Sequence, residues 1–318
     1  MSTNRTLVGV DLGGTLIRAA VATGPGMHGR VTRHPTRAER GPAAVLASIA
    51  AAVNEAASGR PCDGVAIGIP GPLDPGTGIV YSAPHLPGWA GLHAAEELQR
   101  RLGCPVVIQN DAKLAGIAEW TLGAGKGTQN FVFITVSTGV GGGLVIDGEL
   151  YTGTAGTAGE VGHVPIGMTG PVCGQGHVGC LEGMASGTAI AARAHQALQS
   201  GEPSSLRDVD PLDARAVEIA ALAGDALSGR LFEEAGRALG RAIGGFINVL
   251  SPEVIALGGG LLGAGDLLFT PMRAAIPEMA FAEPLARCRI VPAALGTDAG
   301  LVGATTWALR RLGGDPVR

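Results

Sequence analysis

What this chain of 318 residues lacks narrows the field first. No apolar stretch approaches the roughly 20 residues that a bilayer-spanning helix needs, so a membrane partner is not expected. No run of Lys and Arg occurs and the net charge is −4, which leaves out the electrostatic footprint of a nucleic-acid or anionic-lipid binder. The cysteines number five, an odd count, and no secretory signal precedes the first strand pattern. The expectation is a reducing, cytoplasmic setting rather than a disulfide scaffold. Walker A chemistry is absent too: beside Gly125-Lys126, Gly127 stands where Ser or Thr is required.

What is plentiful is glycine, 53 residues of it, within a chain that is 46% hydrophobic and only 16% charged. That length and apolar content support a large core and favour two lobes. The glycines come in clusters rather than in a repeat, which points to backbone approaching something closely.

Leu7 to Val10 reads as a buried strand, Asp11-Leu12-Gly13-Gly14-Thr15 as a turn, and Leu16 to Val21 as the returning strand. Gly24 to Gly41 is irregular and basic, a loop or an exposed edge. Pro42 can open a helix carrying Leu46, Ile49, Ala50 and Val53 at helical spacing. Val65 to Ile69 is a strand ending at Pro70-Gly71-Pro72. Leu92, Ala95, Leu98 and Leu102 mark a helix closed by Gly103. A strand from Pro105 to Gln109 meets Asn110-Asp111 at its carboxyl end, and helix follows to Trp120. Then the opening pattern recurs: strand Phe131 to Val136, Gly turn Ser137 to Gly143, returning strand Leu144 to Ile146. We read the two hairpins as corresponding parts of two similar lobes. Ser186, Asp213 and Asp298 are expected helix caps. One long helix face runs from Ala226 to Leu250, and Val254 to Leu257 is a strand entering Gly258-Gly259-Gly260. Strands alternating with helices indicate an α/β fold.

Three Gly-rich turns each follow an apolar strand, and successive backbone N–H groups in such turns can hold phosphate oxygens. The same turns also serve as plain hairpins. Asp11, beside the first, could reach a magnesium ion or cap its own turn. Asp111 could accept a hydroxyl proton as general base or cap the helix that follows. Asn110 could exchange hydrogen bonds with a polyol. Between Gly159 and Glu182, two cysteines, two histidines and two glutamates crowd together, and Cys173-x3-His177-x2-Cys180 with His163 ten residues upstream suits a structural zinc loop. A mobile loop with incidental cysteines is the plainer reading.

Taken in order, Asp11-Leu12-Gly13-Gly14-Thr15, Ile69-Pro70-Gly71-Pro72, Asn110-Asp111, Thr138 to Gly143, Gly159-Glu160-x-Gly162-His163, Cys173 to Glu182 and Leu257 to Gly260 resemble the ROK family of sugar kinases and repressors. The resemblance implies the actin-like ATPase (ribonuclease H-like) fold: two lobes with a cleft between, and a closing helix that returns to the N-terminal lobe. We expect a small lobe of residues 1–109 plus 298–318 and a large lobe of residues 110–297 carrying the metal loop. It further implies Asp111 as the base for the sugar 6-hydroxyl. Asn110, Glu160, His163 and Glu182 would bind the ring hydroxyls, with Gly71 in the loop beside them. Gly13, Gly14, Thr15, Thr138 and Gly139 would cradle the phosphates, and Gly258 and Gly259 would lie against the adenosine. His163, Cys173 and Cys180 would bind zinc.

Four positions depart from the family pattern. Leu16 stands where Lys is usual, and Gln175 replaces the second loop cysteine. His85 replaces Asn before Leu-Pro-Gly-Trp, and Lys113 sits where Asn or Asp is common. Because an amide is a poor zinc ligand, His177 is expected as the fourth. The resulting expectation is a kinase using ATP and magnesium on a hexose, glucose first, with N-acetylhexosamine or fructose as alternatives, and a homodimer. A sugar-responsive repressor would carry an N-terminal helix-turn-helix, for which the residues before Asp11 leave no room.

Overall fold

The computed structural model describes residues 5–313; the first four residues and the last five of the expected small lobe lie outside them. In chain order the elements begin with β1 (Leu7–Leu12), β2 (Leu16–Gly24), β3 (Met27–His28), β4 (Thr32–Pro35) and α1 (Pro42–Ala57). Next come β5 (Gly64–Ile69), β6 (Leu73–Asp74), β7 (Ile79–Val80), β8 (Leu92–His93), α2 (Ala94–Leu102), β9 (Val106–Asn110) and α3 (Asp111–Leu122). The middle holds β10 (Phe131–Val136), β11 (Val140–Ile146), β12 (Glu149–Leu150), α4 (Leu181–Ala185), α5 (Gly187–Gln199), α6 (Ala214–Leu222) and α7 (Ala226–Leu250). The rest is β13 (Val254–Gly258), α8 (Asp266–Ala275), α9 (Ala282–Arg287), β14 (Arg289–Pro292) and α10 (Ala299–Leu312).

Two sheets repeat one plan. The first runs β3-β2-β1-β5-β9, with β4 also on β2, and the second runs β12-β11-β10-β13-β14. In the first, β1 pairs antiparallel with β2 and parallel with β5, and β5 pairs parallel with β9. In the second, β10 pairs parallel with β13 and β13 with β14. The Gly-turn hairpin thus occupies the same place in each order, as its recurrence in the sequence suggests. β1 and β5 are buried almost throughout, which explains their continuous rather than alternating apolar runs.

The chain forms two compact units: residues up to Gly127 with Gly143–Gly159 and Ala293 onward, and Thr128–Gly142 with Glu160–Pro292. In the first, Val8, Val10, Ile49, Val53, Ile67, Leu98 and Trp89 make the core between the sheet, α1 and α2. The closing helix α10 belongs to this unit and packs on β1, β5 and α3. A buried carboxylate fixes it there. Glu119, on α3, accepts N–H bonds from Ala124, Ala294 and Leu295 at 2.7–3.0 Å, tying the end of α3 to the turn before α10. In the second unit α7 packs along α8, α4 and α6.

Two expectations meet the structure differently. The stretch Gly24 to Gly41 is not all loop: Thr32–Pro35 adds an edge strand to β2, its proline at the end, where an edge tolerates one. Ser186 and Asp213 do cap α5 and α6. Asp298 makes no cap bond on α10; its carboxylate faces the Arg18 guanidinium at 3.4 Å instead.

Gly303 shows what the α10 to α3 contact requires. A Cβ there would overlap the Leu114 carbonyl. Gly→Ala in a helix interior ordinarily stabilises by about 1 kcal/mol. Here Gly303→Ala should instead destabilise by about 1–3 kcal/mol, the cost of overpacking, read as a lower denaturant midpoint at unchanged m-value.

Candidate active site

In the first unit the candidate residues gather at the carboxyl ends of β1 and β9, the edge where α/β sheets place ligands. β1 ends in a tight turn. The Gly13 N–H donates to the Leu16 carbonyl at 2.9 Å, and the Thr36 hydroxyl donates to the Gly13 carbonyl. The hairpin therefore spends the Gly13 amide on itself, which leaves Gly14 and Thr15 as this turn's part of the expected cradle. His85, the departure from the family pattern, packs against Gly14.

Asp11 is held by a residue that belongs to no motif. Arg18 donates Nε at 3.0 Å and Nη2 at 2.6 Å to one Asp11 oxygen, and Nη2 also donates to the Thr297 carbonyl. Arg18 lies on the same face of β2 as Leu16, two residues on, so a cation survives on the face where the expected Lys is missing. A Cβ on Gly300 would lie 2.8 Å from the other Asp11 oxygen, so the carboxylate sits at the N-terminal turn of α10.

At the end of β9 the capping question resolves. Asn110 is the N-cap of α3, its Oδ1 accepting the Lys113 N–H at 3.0 Å. Its Nδ2 donates to the Gly71 carbonyl at 3.2 Å. Asn110 is buried, and both ends of its amide are engaged within the protein. Asp111 is the first residue of the helix, and its Oδ1 accepts the Ala112 N–H. Gly71 adopts φ +96°, and a Cβ there would overlap the Ser82 carbonyl, so the Pro-Gly-Pro loop needs glycine on both counts.

In the second unit the two remaining Gly turns lie side by side. Gly259, at φ +97°, crosses the end of β10 so closely that a Cβ would overlap Val136. Gly258 extends β13 beside Thr135. In the other turn the Ser137 N–H donates to Gly139, and the Ser137 and Thr138 carbonyls accept from Gly187 and Thr188 at the start of α5. Glu182, on α4, accepts the Val140 N–H at 3.1 Å and passes 2.8 Å from where a Gly139 Cβ would be, so it is tied to this turn.

Beside these turns lies a cavity of about 440 Å³, lined by Thr138, Thr188, Leu212, Arg215, Glu218 and Leu261 among others. Arg215 pairs with the nearly buried Glu218 at 2.6 Å on one turn of α6. Ser137, Thr138 and Gly260 belong to the Gly turns and Asp213 to the expected cap, whereas nothing in the sequence marks Arg215 and Glu218, which only tertiary packing brings to the turns.

The metal-loop residues come together. One ligand atom each of His163, Cys173, His177 and Cys180 lies within 4.8 Å of all the others. The two Nδ1 atoms are 3.2 Å apart, and each is 3.8 Å from the Cys173 sulfur. Zinc bonds of about 2.0–2.3 Å set tetrahedral neighbours roughly 3.3–3.8 Å apart, so the three separations among His163, His177 and Cys173 match one ion, with Cys180 close enough to complete it. Burial pushes the Cys180 thiol pKa up, with Cys173 adding to it, so a cation is what would favour its thiolate. Glu160 begins the turn Val161–His163 that delivers His163.

Two duplicated sheets with Gly turns at matching places define the actin-like ATPase class. The chain belongs to the ROK family, whose model matches residues 7–311. It is 34% identical over 312 residues to a glucokinase from Thermotoga maritima, covering 97% of this chain and 98% of that one. It is 36% identical over 310 residues to a glucokinase from Halalkalibacterium halodurans, covering 94% of each. A solved ROK family glucokinase from Streptomyces griseus, in complex with glucose and AMPPNP, superposes with a TM-score of 0.79 at 32% identity, covering 96% of this chain and 99% of that one.

Proposed function

We propose that this protein is an ATP-dependent hexose kinase that phosphorylates glucose on its 6-hydroxyl. The observation that carries the reading is the division of roles after β9: Asn110 caps α3, so capping does not account for Asp111. Likeness along nearly the full chain to glucokinases, one of them solved with glucose and AMPPNP, supports the substrate pair. In this reading Asp111 accepts the hydroxyl proton as the sugar oxygen bonds the γ-phosphorus. The bond from that phosphorus to the bridging oxygen breaks, and ADP leaves with the electron pair. The protein's part is positioning and charge stabilisation.

Gly71, Glu160, His163 and Glu182 bind the sugar, with Asn110 shaping its site through Gly71. Gly14, Thr15, Thr138 and Gly139 hold phosphate oxygens, and Gly258 and Gly259 back the nucleotide. The cavity by Arg215 and Glu218 suits its nucleoside end, an apolar wall with a few polar groups. A magnesium ion supplies charge neutralisation at the phosphates, with Asp11 the carboxylate beside that turn. His163, Cys173, His177 and Cys180 hold a structural zinc ion, which fixes the loop between Glu160 and Glu182. With both Nδ1 atoms turned to the cluster, His163 keeps Nε2 for the sugar side. We place the enzyme in the cytoplasm, as a homodimer; among the described residues no helix is long and apolar enough to cross a membrane.

Asp111→Asn keeps shape and loses proton acceptance. Its kcat should fall by roughly 10²–10⁴-fold while the glucose dissociation constant changes far less. Turnover near wild type would exclude Asp111 as the base, and a wild type inactive on a full hexose panel would exclude the kinase. For the metal, protein purified without added zinc should carry about one zinc per chain, and His177→Ala much less. Equal zinc content and affinity in both would remove His177 from the site, and zinc in neither would remove the site.

A further inference from the structure

Lysine is scarce in this chain. Of its 23 basic residues only Lys113 and Lys126 are lysines, and Lys113 is 1% exposed. An ammonium withdrawn from water opposes folding unless it is well partnered, so what it bonds to decides its role.

Its connections form a closed circuit within the first unit. The Lys113 backbone N–H donates to Asn110 Oδ1 at 3.0 Å, and Asn110 Nδ2 donates to the Gly71 carbonyl at 3.2 Å. Two residues beyond Gly71, Leu73–Pro75 is pressed against Gly156, where a Cβ would lie 3.2 Å from the Asp74 Cα and overlap Pro75. From the other side, Lys113 Nζ donates to the Gly156 carbonyl at 2.8 Å and closes the circuit. The stem is sheathed by glycine: Gly143 lies over its Cα, and Gly159 over its Cε at 3.6 Å from the position a Cβ would take. Gly159 is the residue before Glu160. An Asn or Asp at this place would be too short to reach Gly156, so the tie depends on the length of the lysine stem.

We infer that Lys113 is a positioning residue for the sugar: its ammonium locks the segment Gly153–Gly159 to the Gly71 loop and Asn110, and so fixes where the sugar-binding groups stand. It acts through Gly156 and Asn110. The inference rests on the kinase reading above and names a residue that this reading does not need.

The test is K113M, which keeps the unbranched stem and removes donor and charge. Glucose binding without nucleotide should weaken by roughly tenfold or more, the scale of a lost hydrogen bond to a charged group. The KM for ATP should stay within about twofold, and Tm should fall, because the Gly156 carbonyl loses its donor. Amides of residues 153–159 should exchange faster with solvent while those of α10 do not. K113R, keeping charge and donors, should recover part of the glucose affinity. Wild-type glucose affinity in folded K113M would overturn the inference, and so would equal losses of glucose and ATP affinity. If K113M does not fold, K113Q takes its place in the same measurements, and the same outcomes support or overturn the inference. A wild type that binds and phosphorylates no hexose would instead overturn the kinase reading, whatever the variants do.

Discussion

One buried amide organises the first unit's part of the site. Asn110 accepts from the start of α3 and donates to the Pro-Gly-Pro loop, so a strand end, a helix start and a loop share one hydrogen-bonding group. A side-chain amide is the group for this, since it offers an acceptor and a donor a short distance apart and carries no charge. A carboxylate could cap the helix but could not donate to the Gly71 carbonyl. With Asn110 so engaged, the next residue starts the helix with its carboxylate at the mouth of the β-sheet. The placing of Asp111 follows from its neighbour's hydrogen bonds.

Close backbone approach is the second constraint. Gly71, Gly259 and Gly303 each meet a carbonyl where a side chain would overlap it. Glycine abundance thus has two origins. Some glycines shape the turns of the proposed ligand sites, and others let helices and strands pack at backbone distance. The cluster of His163, Cys173, His177 and Cys180 adds a third kind of restraint. Four donor atoms of one loop gather around one point, where a bound metal ion would give the loop its order.

Much of this is legible in the sequence, and what is not has physical causes. The hairpins, the helix from Ala226 to Leu250 and the caps at Ser186 and Asp213 are local features, set by spacing and by one side chain bonding its own helix. The edge strand Thr32–Pro35 is hidden because a short polar edge shows little alternation. Asp298 looks like a cap, yet an arginine 280 positions away in sequence claims its carboxylate. The burial of Lys113 and the Arg215–Glu218 wall depend on partners that only folding brings near. Arg18 differs from these: it stands opposite Asp11 in the β1–β2 hairpin, a local pairing that belongs to no motif. Of the candidate site, the ligand types can be read, while the internal bonds that hold them cannot.

The surroundings of Asp11 bear on the order of events. Its carboxylate meets a guanidinium that donates twice and stands at the first turn of α10, where the helix dipole is positive. Its charge is thus largely answered before any ligand arrives. A carboxylate in that condition has little pull on a free, hydrated divalent ion. In the proposed reaction a magnesium ion would therefore come in on the nucleotide's own phosphates, and Asp11 would be a checkpoint for an ion already carried rather than a depot that keeps one in store.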